Sequence, residues 1–221
     1  QRRALHFAWH FIESKSRRDS ELSARIAILG AGISGTTLFR GLPSLGFSEV
    51  YLYESLPNTL SLQSNSNHRM IHPNYNTWPI QMNYGSTTSL PFSKWYAAGA
   101  NEVLETLSDE FDSYIEESDL AHRIQTEFEA TGLELISSGS SAGSRLKLTF
   151  GNGVSWDHFD YVVSCLGFEP EEDLFGRSNA GYWDNDNFDQ EKQNNRKKTK
   201  VIAGGGDGAV IDFARLIWNE K

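Results

Sequence analysis

The stretch RIAILGAGISG, residues 25–35, restricts the fold of this chain more than any other. Apolar residues 26–29 read as a buried strand, and TTLFRGLPSL at 36–45 reads as a helix. Pro43 is expected to end or kink that helix, and Gly46 to stop it. VYLYE at 50–54 then reads as a second strand. Strand, glycine turn, helix and strand within about 30 residues form a βαβ unit, the building block of a parallel sheet. Parallel strands need such a crossover, so the expected class is α/β, with a Rossmann-type parallel sheet.

GAGISG also fits G-x-G-x-x-G, with Glu54 placed 19 residues after Gly35 at the end of the second strand. Each position has a physical reason to serve a dinucleotide. Gly30 permits the tight turn, Gly32 lets backbone approach a pyrophosphate without an intervening Cβ, and Gly35 lets the helix pack close to the strand. The helix start, through Ile33 and Ser34, offers free N–H groups and the positive end of the helix dipole. Glu54 can accept hydrogen bonds from ribose hydroxyls, and its charge disfavours a 2′-phosphate. The fingerprint alone does not separate FAD from NAD.

Beyond this unit, residues 61–85 are rich in Asn, Ser and Pro and lack periodicity, so a long irregular loop is expected. KWYAAGANEVLETLSDEF at 94–111 has apolar residues at helical spacing. Residues 113–131 give no clear pattern. From Leu133 the period becomes two: LELIS, RLKLTF, a turn at Gly151, Asn152 and Gly153, VSW, and DYVVSCLG read as short successive strands. After FEP the chain turns polar, through EKQNNRKKTK, which reads as a solvated linker. VIAGGGDGAVIDFA at 201–214 then repeats the strand, glycine turn and helix pattern.

Composition supports an ordinary globular chain. Of 221 residues, 38% are hydrophobic and 22% charged. A net charge of −9 argues against general nucleic-acid or anionic-membrane binding, and no apolar run approaches a membrane span. A single cysteine, Cys165, excludes an internal disulfide or a CxxC pair, so a reducing cytoplasm is the expected location. Residues 1–24 are expected to form an extension carrying a surface helix. The leading Gln is the kind of start expected of a segment cut from a longer chain.

On the residues RIAILGAGISG, Glu54 and D-Y-V-V-S-C-L-G-F-E-P, the chain resembles the two-dinucleotide flavoproteins, a class that includes thioredoxin reductase, glutathione reductase and the flavin monooxygenases. Asp160, Val162, Val163, Gly167 and Pro170 stand where that class has D-x-V-V-x-A-x-G-x-x-P, with Cys165 departing from the small central residue. The resemblance implies an FAD-binding fold with a β-meander, in which Gly167 allows backbone to pass close to the cofactor. It also gives two readings of VIAGGGDGA. Gly204, Gly206 and Ala209 match the G-x-G-x-x-A that opens an NAD(P) domain, and Gly206–Asp207 match the Gly-Asp pair that closes the FAD domain. The resulting organisation is 1–24 extension, 25–170 FAD-binding domain with a helical insertion and meander, 171–199 linker, and 200–221 either the start of a second nucleotide unit or the closing segment of the first. A looser resemblance, through HPNYNTWP, LPFSKWYAAGA and GYWDND, is to uncharacterised bacterial FAD/NAD(P)-binding proteins, and it brings no reaction with it.

The resemblance implies an FAD-dependent oxidoreductase module with a small-molecule substrate, and with NAD(P)H as hydride donor if residues 200–221 open a second nucleotide domain. The alternative is a nucleotide-binding or sensing module without turnover. No residue carries a catalytic assignment. Arg69 is the loop residue expected to pair with the pyrophosphate, since a guanidinium suits phosphate oxygens. His68 and His72 lack a third ligand at a telling spacing, and Asp184 and Asp186 read as a solvated turn, so no metal site is expected. H-x5-W-P at 72–79 differs in spacing and context from the Baeyer–Villiger monooxygenase fingerprint and is set aside. Trp78, Trp95 and Tyr96 read as core aromatics or pocket walls, and Cys165 as an inert thiol in an apolar strand.

Overall fold

The computed structural model describes residues 1–15, 22–64, 66–73, 87, 88, 90–137, 144–167, 183, 202, 210 and 212–214. Strands β1 (Arg25–Leu29) and β2 (Glu49–Tyr53) flank helix α2 (Ile33–Ser44), as the sequence pattern predicts. Helix α1 (Arg2–Lys15) precedes them. After β2 come two short strands, β3 (Met70–Ile71) and β4 (Ala98–Gly99), then helix α3 (Ala100–Ser118), a 3-10 turn at Ala121–Arg123 and β5 (Ile124–Gln125). Strands β6 (Ala130–Ser137), β7 (Ser144–Phe150), β8 (Ser155–Phe159) and β9 (Tyr161–Ser164) follow.

The fold is α/β, built on a four-stranded parallel sheet in the order β5-β2-β1-β9. Its strand ends are level: Leu29 pairs with Tyr53 on one side and Ser164 on the other. Asp160, legible in the sequence only as part of a pattern, sets the start of β9. Its carboxylate accepts the Arg25 N–H at 2.8 Å, and its own N–H donates to the Arg25 carbonyl at 2.9 Å.

Both faces of the sheet are covered, as a parallel sheet requires. On one face Ile26, Ile28, Val50 and Leu52 pack with Leu38, Phe39 and Leu42 of α2 and with Val103, Leu107 and Phe111 of α3. On the other, Ala27, Leu29 and Tyr53 meet Leu148, Phe150 and Phe159 of the antiparallel meander β6-β7-β8. Tyr53 lies within aromatic contact of Phe150 at 5.0 Å and Trp156 at 5.2 Å. The meander turn is the expected one, with Gly153 at φ +81 and its N–H donating to the Phe150 carbonyl.

Helix α2 ends in a Schellman motif. The Phe47 N–H donates to the Leu42 carbonyl and the Gly46 N–H to that of Pro43, with Gly46 at φ +101. Pro43 therefore sits in the last turn and Gly46 is the stop, as the sequence reading has it. The helix begins three residues earlier than that reading places it.

The second helix differs more. The expected span 94–111 shifts to Ala100–Ser118, because residues 98 and 99 pair with Met70 and Ile71 and Tyr96 bridges Thr87. Trp95 and Ala98 are buried, but outside the helix. Helix α1 is also more than a surface element. Ala4 and Ala8 are buried, and the Phe11 ring meets Tyr161 edge-on at 4.9 Å and Phe47 at 5.4 Å. Among the described residues, no helix is long and apolar enough to cross a membrane.

Arg40 and Glu110 tie α2 to α3 at 2.6 Å. Burial acts to raise the Glu110 carboxyl, but the Ser93 N–H, the Arg40 guanidinium and the Lys94 N–H hold it below the usual range. A lowered folded value means the stabilisation is complete above the unfolded pKa and is lost as pH falls through the folded one. Glu110→Gln is expected to cost about 1–2 kcal/mol near neutrality, and this difference should shrink in acid. Urea unfolding at two pH values checks it; equal stability of the two proteins at neutral pH contradicts it.

Candidate functional site

The carboxyl ends of β1, β2 and β9 converge where the chain leaves β1 for β2 on one side and later returns to β9 on the other. In open α/β sheets this switch point is where ligands bind. The glycine turn stands directly above it. The Gly30 N–H donates to the Tyr53 carbonyl at 2.7 Å, and the Cys165 N–H to the Leu29 carbonyl at 2.7 Å, so the turn is pinned to both neighbouring strands.

Three glycines in this turn answer to different demands. Gly30 has φ +93, and a Cβ there would lie 2.7 Å from the Cys165 carbonyl oxygen. Gly35 lies in the first turn of α2, where a Cβ would lie 1.9 Å from the Gly30 carbonyl oxygen. The fold itself therefore requires both. Gly32 is different. Its backbone, φ −71 and ψ −173, is open to any residue, and a Cβ would meet nothing within 4 Å among the described residues. Packing among the described residues gives no reason for glycine at this position.

Gly32 is the N-cap of α2, without a side-chain cap and without an acid in the first turn. The first intrahelical bond runs from the Thr36 N–H to the Gly32 carbonyl at 3.0 Å. The N–H groups of Ile33, Ser34 and Gly35 precede it and belong to the helix's positive end.

Glu54 follows β2 and comes beside the turn. One carboxylate oxygen accepts the Ala31 N–H at 2.6 Å; the other accepts the Leu56 N–H at 2.9 Å and the Ser55 hydroxyl at 3.1 Å. These bonds fix the half-buried carboxylate beside the glycine turn. The Ala31 contact joins the acid directly to the glycine turn, a link the sequence spacing could not disclose. The loop after Glu54 also returns to the turn, where the Leu60 N–H donates to the Ala31 carbonyl at 2.9 Å.

Gly167 follows β9 with φ +74, so its backbone alone explains the glycine. Cys165 lies just past β9 rather than within it, and burial pushes its thiol up from the ordinary value. A protonated thiol suits the inert reading.

Arg69 is buried, and its guanidinium pairs with the Asp212 carboxylate. No sequence pattern singles out Asp212. Trp95 is a core residue whose indole N–H donates to the Gln1 side chain at 2.7 Å, whereas Tyr96 is exposed. His68 and His72 are half-buried. Among the described residues no group of three or more His, Cys, Asp or Glu side chains is placed to hold a metal. Gly204, Gly206, Asp207, Trp78, Asp184 and Asp186 lie outside the described residues.

No family model matches this chain, and no curated protein matches it. Among solved structures, it is similar to an oxidised steroid monooxygenase bound to NADP, at 14% identity and a TM-score of 0.44, over 72% of this chain and 28% of that one. It is also similar to a cyclohexanone monooxygenase mutant from Rhodococcus sp. Phi1 bound to NADP+, at 15% identity and a TM-score of 0.46, over 72% and 29%. A third is OTEMO in complex with FAD and NADP, at 14% identity and a TM-score of 0.47, over 69% and 28%. The chain thus spans less than a third of the length of each. At that identity and overlap these likenesses assign no residue and no chemistry to it.

Proposed function

We propose that this chain binds a dinucleotide at the carboxyl edge of its parallel sheet and works as an FAD-dependent oxidoreductase module. The observation that carries this reading is Gly32, a glycine that neither backbone conformation nor packing among the described residues requires, at the start of a helix with no side-chain cap. Glycine there is accounted for by a ligand that must come within contact distance of the main chain. The adjacent amides of Ile33, Ser34 and Gly35 suit a diphosphate. Glu54, anchored by the Ala31 N–H, suits the hydroxyls of the adjoining ribose. Gly30 and Gly167 shape the backbone on either side. FAD, when bound, supplies the redox chemistry, and NAD(P)H is the expected hydride donor. This chain's own residues bind and orient the nucleotide.

The test is to denature the purified protein and identify the released ligand, then to titrate Glu54→Ala with FAD. The expected results are released FAD, a flavin colour bleached by NAD(P)H, and roughly tenfold to hundredfold weaker uptake by the variant, from lost charge-assisted hydrogen bonds. A colourless protein retaining NAD or ADP-ribose would assign the same crevice to nucleotide sensing. Absence of both FAD and NAD, with Glu54→Ala indistinguishable from wild type, would overturn dinucleotide binding altogether.

A further inference from the structure

We infer that Leu60 is a positioning residue whose left-handed backbone locks the Ala31–Gly32 peptide and so adds the Gly32 N–H to the donors offered to a diphosphate. The inference rests on the dinucleotide site proposed above. It adds to that site one donor and the residue that aims it.

A peptide unit is planar and trans, so its C=O and N–H point in opposite directions. The Ala31 carbonyl accepts the Leu60 N–H at 2.9 Å. The N–H on the same plane belongs to Gly32, and it therefore points away from Leu60. Gly32 is exposed, and among the described residues its N–H has no acceptor. Ala31 is gripped on its other backbone group as well, because its N–H donates to the Glu54 carboxylate at 2.6 Å. With both groups of Ala31 engaged, the next amide is the one left open to a ligand.

Such a lock is needed because Gly32 restrains nothing by itself. Glycine takes positive and negative φ about as readily. An unheld Ala31–Gly32 peptide can turn over and present a carbonyl oxygen, which repels phosphate, in place of an N–H. The bond from Leu60 opposes that rotation.

Leu60 is itself held in place. Its φ is +53, a region that side-chain sterics disfavour for leucine. Its side chain is only 4% exposed and lies in the main core. Burial of a leucine outweighs the strain of one left-handed residue. The chain from Glu54 to Leu60 is fastened at its start too. The Phe128 N–H donates to the Glu54 carbonyl at 2.8 Å, and the Glu127 N–H to that of Leu56 at 3.2 Å. One short loop thus meets the glycine turn at both ends, with its acid on the Ala31 N–H and its leucine on the Ala31 carbonyl.

The experiment follows the Gly32 amide by NMR during FAD titration of full-length wild type, Leu60→Ile and Leu60→Met. In wild type the Gly32 amide proton is expected to move downfield as FAD binds, the signature of a new hydrogen bond. Leu60→Ile keeps the volume, but β-branching resists the left-handed backbone. It should weaken FAD binding about tenfold, as expected for one hydrogen bond to a charged group, and diminish the Gly32 shift while β1 amides stay protected from exchange. Leu60→Met, unbranched, should behave as wild type. FAD binding by wild type without a downfield shift at Gly32 would overturn the inference and leave the proposed site standing. So would a folded Leu60→Ile with wild-type affinity and a wild-type shift. Wild type that takes up no FAD would sink the proposed function and this inference together. If Leu60→Ile loses protection in β1, the Gly32 shift in wild type and Leu60→Met decides: its presence in both supports the lock, and its absence refutes it.

Discussion

Gly35→Ala is expected to destabilise the protein by about 3 kcal/mol or more, despite introducing a better helix former. The new Cβ would lie 1.9 Å from the carbonyl oxygen of Gly30 and 3.0 Å from its carbon. Both are backbone atoms, so no flexible side chain can swing aside. Relief requires α2 to move by about 1.5–2 Å from the turn, since ordinary carbon contacts lie near 3.5–4.0 Å. That movement is resisted from two directions. Gly30 is tied to β2 through the Tyr53 carbonyl, and α2 is packed through Leu38, Phe39 and Leu42 into the core. Gain in helix propensity offsets only about 1 kcal/mol of the clash. Urea denaturation of the variant and wild type measures the difference. Equal midpoints would mean that the close approach of helix and turn is not what glycine provides here.

Much of this arrangement is legible in the sequence, for a definable reason. The βαβ unit and the meander are local patterns: each announces itself through periodicity and turn residues within a few positions. Gly30, Gly35 and Gly46 were readable because left-handed backbone and tight approach demand glycine wherever they occur. The apolar spacing places the start of α3 too early, because its register depends on a distant partner. Met70 and Ile71 hold residues 98 and 99 in extended form, overriding an apolar spacing that continues the helix backwards to Trp95.

Helix α1 shows a similar lesson. Its Phe11 packs against Phe47 and Tyr161, residues far along the chain. Glu110 and Asp212 are charged residues in ordinary sequence surroundings, and Asp160 is legible only as one position of a motif. Their importance comes from the backbone amide or the cation that the fold brings to each of them. Arg69 stands out in the sequence for its charge and loop position, and in the fold its guanidinium meets the carboxylate of Asp212.

Gly32→Val is the opposite case from Gly35→Ala, and it separates fold from function. Its backbone angles are ordinary for any residue and its Cβ direction is open. Valine is a poorer N-cap than glycine, so a loss of about 1 kcal/mol in stability is expected. The effect on the ligand should be far larger. A branched side chain would stand where a diphosphate must approach the amides of Ile33, Ser34 and Gly35, and affinity is expected to fall about a hundredfold or more, equivalent to about 2.7 kcal/mol. The same pair of proteins therefore gives two readings, a small change in unfolding and a large change in binding.

FAD titration of wild type beside Gly32→Val, with the fold of each verified by urea unfolding, is the direct test of a main-chain diphosphate site at the head of α2. The account predicts saturable binding by wild type that the folded variant loses. Equal affinity in the two folded proteins would contradict it.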